Sequence, residues 1–118
     1  MAYLLLIVEP RGQRDTRPQP KAEALYAEMV QFGEGLAARG VLLASESLRS
    51  DQSGVRVQIR DDKTQLRDGP FAEAREMVGG FFLINTATRD EAIEIARQCP
   101  AARWATVEVR EVAPCHAG

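Results

Sequence analysis

Asp68 opens a run, Asp68 to Gly80 (DGPFAEAREMVGG), in which carboxylates, a guanidinium, a proline and three glycines are set between two apolar segments. Gly69 and Pro70 make the chain turn there, one free of the Cβ restriction and the other with φ fixed. A carboxylate at such a corner has two uses. It caps its own turn by accepting backbone N–H bonds, or it faces a cleft, where partial burial raises its pKa and suits it to act as a general base or as an anchor for a polar ligand. Phe71 supplies an apolar anchor for the corner. Glu73, Arg75 and Glu76 then bring charges of both signs. They form either an ion-paired rim of small energetic weight or, through Arg75, a bidentate grip on a carboxylate or phosphate of a small anionic ligand. Tyr3 and Glu46 are further candidates for lining the same cavity.

The rest of the chemical inventory is thin. Cys99 and Cys115 do not form a disulfide framework, and Cys115-His116 lacks the further ligands a structural zinc site needs, so no metal is expected. There is no Walker loop, no dinucleotide glycine fingerprint and no G-x-S-x-G elbow, and no cofactor is expected either. A formal charge of −2 argues against nucleic-acid binding, which rests on a basic surface. Tyr3 to Val8 is apolar but lacks a basic leader and is too short to span a bilayer. A soluble cytoplasmic protein with no membrane contact is the expectation.

The elements that must hold these residues follow from periodicity. A chain of 118 residues, 45% hydrophobic and 27% charged, suits one domain over 1–118 that buries roughly two-thirds of its unfolded surface. Tyr3 to Val8 reads as a strand covered on both faces, because an amphipathic strand would alternate. Glu9 to Gln19, with Pro10, Gly12, Pro18 and three arginines, reads as a long exposed connection, either solvated or a lid over an acidic ligand. Pro20 suits the first turn of a helix, with Leu25, Met29, Phe32 and Leu36 on one face and Gly40 ending it. Gly33 and Gly35 each cost about 1 kcal/mol in its interior, which points to close packing on a sheet.

Val41 to Leu48 reads as a strand carrying Glu46, and Ser50 to Gly54 as a polar turn. Val55 to Arg60 alternates strictly, which predicts one buried and one wet face; Asp61-Asp62-Lys63 turns the chain, and Thr64 to Arg67 returns it to Asp68. Phe81 to Asn85 is a further strand with apolar residues on both faces. Thr88 and Glu91 have the form of a capping box opening a helix with Ala92, Ile95, Ala96 and Cys99 inward and Pro100 at its stop. Trp104 leads into the alternating strand Thr106 to Arg110, and Ala113 to Gly118 reads as a flexible tail. Two helices cover only one face of such a sheet. The other face would carry an apolar patch larger than monomers usually expose, so a homodimer through the open sheet face is expected.

The Asp68 to Gly80 string resembles the signature of the YCII-related, or DGPF-domain, proteins, which usually reads DGPFAETKE followed by two glycines and an aromatic strand. Asp68, Gly69, Pro70, Phe71, Ala72, Glu73, Glu76, Gly79 and Gly80 match, whereas Ala74 and Arg75 replace Thr-Lys. The flanks extend the resemblance over nearly the whole chain, through a helix ending in ARG, Glu46 to Leu48 and the closing VEVREV. It implies a ferredoxin-like α+β fold, βαββαβ with an antiparallel sheet and two helices on one face, that pairs as a dimeric α/β barrel, and it implies no agreed activity. It also implies a histidine–aspartate active centre, for which this chain offers one histidine, His116. Many such proteins are encoded beside sigma factors, which implies a regulatory partner. Three functional readings follow: a noncatalytic dimeric module binding a small ligand or a protein, a cofactor-independent enzyme similar to lactone isomerases with Asp68 as acid or base, and an assembly role without a ligand.

Overall fold

A computed structural model describes residues 1–118. Its strands are β1 (Ala2–Pro10), β2 (Leu42–Ser47), β3 (Val55–Arg60), β4 (Lys63–Asp68), β5 (Glu76–Asn85) and β6 (Thr106–Glu111), with helices α1 (Gln19–Ala38) and α2 (Arg89–Gln98). Four strands form one antiparallel sheet in the order β2-β5-β1-β6. This is the ferredoxin-like arrangement, with β5 taking the third strand's place and β6 the fourth's.

Period-2 alternation sets the two faces. Tyr3, Leu5, Ile7 and Glu9 of β1 are buried, as are Phe82 and Ile84 of β5, and the apolar ones among them meet Leu36 of α1 and Ala92, Ile95 and Ala96 of α2 in one core. Leu4, Leu6, Val8, Phe81 and Leu83 alternate onto the other face, where no helix lies, and are half-buried. Burial of each inward aliphatic side chain stabilises the fold by roughly 1.5–3 kcal/mol.

Local signals fix the helix ends. Pro20 sits in the first turn of α1, where its missing N–H costs nothing. At the other end Val41 N–H donates to Leu36 O (3.1 Å) and Gly40 N–H to Ala37 O (3.0 Å), a Schellman closure that needs the left-handed φ of 74° at Gly40. Thr88 caps α2 by accepting from Glu91 N–H (3.1 Å), while the Glu91 carboxylate reaches back to Ala87 N–H (3.1 Å). No helix is long and apolar enough to cross a membrane.

Strands β3 and β4 form a separate two-stranded sheet, turned by Asp61 and Asp62 with φ of 52° and 60°. Strict alternation in β3 predicts one buried face, and this expectation is corrected: all six residues are exposed, Val57 and Ile59 by 59% and 63%. The hairpin projects past the sheet instead of joining it, so within one protomer neither of its faces finds cover. The fifth strand also differs from expectation. It begins at Glu76, not at Phe81, and carries the double glycine inside it as a bulge, where Ile7 pairs with Gly80 but Val8 with Val78.

Candidate functional site

A cleft of about 670 Å³ lies between α1 and the helix-facing side of β2 and β5. Its apolar wall comes from Leu25, Met29 and Phe82, and Gly33 keeps that wall low: a Cβ on it would meet the Phe82 ring at 3.3 Å. Gly35, by contrast, has open space around it, so close packing explains only one of the two helix glycines. Ser45 and Ser47 line the β2 side, and Glu46 borders the cleft from the same exposed edge.

The inner end is ionic. Glu9, the last inward residue of β1, is 3% exposed, and Arg14 Nε donates to its Oε1 at 2.5 Å. Arg14 is held at all three nitrogens, because its Nη1 also donates to Leu48 O at 2.9 Å and its Nη2 approaches Gly79 O at 3.5 Å. The glycine bulge makes room for this pair. A Cβ on Gly79 would overlap Glu9 Oε2, and one on Gly80 would come 2.8 Å from Glu46 O on β2. Arg17 stacks on Trp104, its guanidinium carbon 4.6 Å from the ring centroid. Gln13 Nε2 donates to Trp104 O at 2.6 Å, which ties the 13–17 segment down.

The connection after β1 is therefore not a solvated loop. Each of its three arginines is held, Arg11 by a bidentate pair with Asp51 and by donating from Nε to Ala74 O at 2.6 Å. Sequence reasoning missed Glu9 and Trp104 as site residues. The signal for Glu9 was present: continuing the Tyr3, Leu5, Ile7 alternation by one more step puts this carboxylate on the buried face.

The corner from Asp68 does a different job. Gly69 N–H donates to Gly54 O at 2.8 Å, and a Cβ on Gly69 would overlap Asp51 O, so the corner lies backbone to backbone on the 51–54 turn. Phe71, 6% exposed, plugs this junction beneath Arg56, whose guanidinium carbon sits 3.9 Å from the ring centroid. Phe71 and Glu76 border a second, shallower hollow of about 490 Å³. Glu73 bridges Arg56 (3.0 Å) and Arg67 (2.5 Å) on the surface, and the Arg67 hydrogen bond is the main reason its carboxyl is held down at about 2. Asp68 and Arg75 are exposed, and neither side chain makes a hydrogen bond or ion pair. Neither residue lines a cleft. Tyr3 is 3% exposed within the core and lines neither hollow. Of the candidate residues, then, Glu46 borders the large cleft, Phe71 and Glu76 the small one, and Glu73 the ion-paired rim.

His116 is exposed at the other extreme of the molecule. Val112 N–H donates to Ala2 O at the start of β1, whereas Arg75 O accepts from Arg11 N–H just past its end. Nine strand residues, roughly 30 Å, separate those points, so one protomer forms no His116–Asp68 pair.

Residues 1–116 match the model of the YCII-related domain. The chain belongs to the YCII-related family. An uncharacterised protein from Rhizobium meliloti (strain 1021) is 45% identical over 104 residues, which cover 86% of this chain and 77% of that one. Among solved structures, 5-chloro-2-hydroxyhydroquinone dehydrochlorinase from Burkholderia phenoliruptrix AC1100, in complex with 2,5-dihydroxybenzoquinone, superposes with a TM-score of 0.59 at 16% identity over 96% of this chain and 94% of that one. The likeness to that enzyme is one of fold, and the YCII-related chain described here brings its own residues to the cleft.

Proposed function

We propose that this YCII-related protein binds a small, largely apolar molecule with one polar end in the cleft under α1, and that it does so as a homodimer joined through the open sheet face. What supports the reading is the coincidence of a hollow of about 670 Å³ with the Glu9–Arg14 pair at its inner end. An apolar wall with a few convergent polar groups is the usual form of a small-molecule site. The half-buried Leu4, Leu6, Phe81 and Leu83 give the dimer its driving force, since two copies would shield each other's apolar surface. A regulatory partner linked to sigma factors stays outside this reading.

The second reading is a cofactor-independent acid–base enzyme, favoured by the dehydrochlorinase sharing this fold. With Asp68 as the base it needs the twin protomer to close over an otherwise open carboxylate.

A metabolite library screened by thermal shift against wild type, Ser45→Trp and Asp68→Asn separates the two. Ser45→Trp fills the cleft beside Phe82, so hits that vanish there and persist in Asp68→Asn support the first reading. Hits that vanish only in Asp68→Asn would replace it with the second.

A further inference from the structure

We propose that the molecule taken up by the cleft is a planar organic monoanion, a carboxylate or phenolate on an unsaturated ring, and that Arg17, mounted on Trp104, is the residue that receives its charge. This rests on the cleft being the binding site. The chemistry follows from which charges inside the cleft are already answered. Glu9 and Arg14 neutralise each other, and Arg14 also donates to Leu48 O and Gly79 O. Glu34 and Glu46 also border the cleft but are exposed to solvent. Arg17 is different. It is half-buried, and its guanidinium makes no hydrogen bond or ion pair with the protein, only the 4.6 Å stack on Trp104.

A ring face satisfies the cation's charge from one side but leaves the N–H edge of the guanidinium without acceptors. That edge is the planar fork that matches a carboxylate or phenolate oxygen. The stack also fixes the plane of the fork and strips water from one side of it, which strengthens a charged hydrogen bond made there.

The mount under Arg17 carries an unusual cost. The Trp104 indole Nε1 and the Gln13 Oε1 are both buried without a partner, although Gln13 Nε2 donates to Trp104 O at 2.6 Å. Buried unpaired polar groups are costly, and their presence on the residue that carries Arg17 and on the one that tethers it marks a mount kept at some expense to stability, though neither atom itself opens to the ligand. A single unanswered cation suits a single negative charge, and no second free cation lines the cleft to hold a dianion. The apolar wall of Leu25, Met29 and Phe82 offers the flat, dry surface that a ring needs.

Trp104 is the protein's one tryptophan, so its fluorescence reports directly on this site. The experiment titrates benzoate, its neutral isostere benzamide and the dianion phthalate into wild type, Arg17→Gln and Arg17→Lys, with calorimetry alongside. In wild type, benzoate should give a saturable change in emission and bind at least about tenfold more tightly than benzamide or phthalate. Arg17→Gln should erase that preference while benzamide binding stays as it was, and Arg17→Lys, a point charge without the fork, should fall between. Equal binding of benzoate and benzamide to wild type would overturn the Arg17 assignment and leave the cleft as a site. Absence of saturable binding by all three would overturn both. Loss of benzamide together with benzoate in both Arg17 variants would assign Arg17 to holding the cleft open, and the proposal would fall.

Discussion

The Glu9 carboxylate occupies the space where a side chain on Gly79 would begin: a Cβ there would overlap Glu9 Oε2 and lie 2.9 Å from Arg14 Nη2. Gly79→Ala must therefore push a buried ion pair off its geometry. Overpacking of this kind costs about 1–3 kcal/mol, and urea denaturation should show a loss in that range. An unchanged midpoint would mean that the pair moves aside freely.

Removing one partner of the same pair tests its coupling. Arg14→Gln leaves the enclosed Glu9 carboxyl without its ion-pair partner, and stability should fall by about 2–3 kcal/mol, less than the ~3–5 of a fully buried pair because Arg14 is 34% exposed. Glu9→Gln combined with Arg14→Gln should lose about 1 kcal/mol less than the two single losses added together. Strict additivity in a double-mutant cycle would show that the two groups do not depend on each other.

Acid should release the hairpin before the sheet. The Arg11 hydrogen bond holds the Asp51 carboxyl below its ordinary range, with the Phe71 backbone N–H adding to the effect, and Arg67 holds Glu73 down at about 2. Both carboxyls titrate lower in the folded state than in the unfolded one. Their contribution is thus complete above the ordinary carboxylate range, about pH 4, and is lost as pH falls through the folded values. Amide exchange followed from pH 5 to pH 2 should show β3 and β4 losing protection while Leu5 and Ile84 keep theirs, and Asp51→Asn should flatten the Asp51 share. Simultaneous loss in hairpin and sheet would contradict this.

The two thiols should react as different species. Cys99 is 1% exposed, burial pushes its thiol up, and its Sγ rests 3.9 Å from Met29 Sδ, whereas Cys115 is exposed. An aromatic disulfide reagent should label one thiol at once and the other only as fast as the core opens. Cys115→Ser should abolish the fast phase alone, and two fast thiols would argue against a closed core at α2.

Leu6→Lys or Leu83→Lys places a charge on the open face of the sheet. Sedimentation at micromolar concentration should show wild type as a dimer and each variant as a monomer that still melts cooperatively. A monomeric wild type would remove the association from the proposed function.

Local signals made much of the fold legible. Thr88 and Glu91 announce α2 because a capping box is closed within four residues, and the apolar run from Tyr3 to Val8 marks β1 wherever it packs. The glycines at 79 and 80 were harder to place. Read locally they end a corner, but they are the bulge of a long strand, and only the neighbouring Glu9–Arg14 pair explains why side chains are missing there. The cleft was legible in part through Glu46. Glu9 hid behind Pro10 and Gly12, whose turn chemistry outweighs one further step of alternation. Trp104 reaches the cleft from far along the chain through its meeting with Arg17, a pairing no spacing rule contains. The corner at Asp68 was rightly read as built, yet Gly69 and Phe71 do the docking while the carboxylate stays in water.

The 2.8 Å bond between Gly69 N–H and Gly54 O closes the base of the β3–β4 hairpin. The chain leaves the body and re-enters it at nearly one point, like the two feet of a handle. The strands beyond those feet pair only with each other, so lengthening or shortening the hairpin at its tip leaves the register of the sheet beneath untouched.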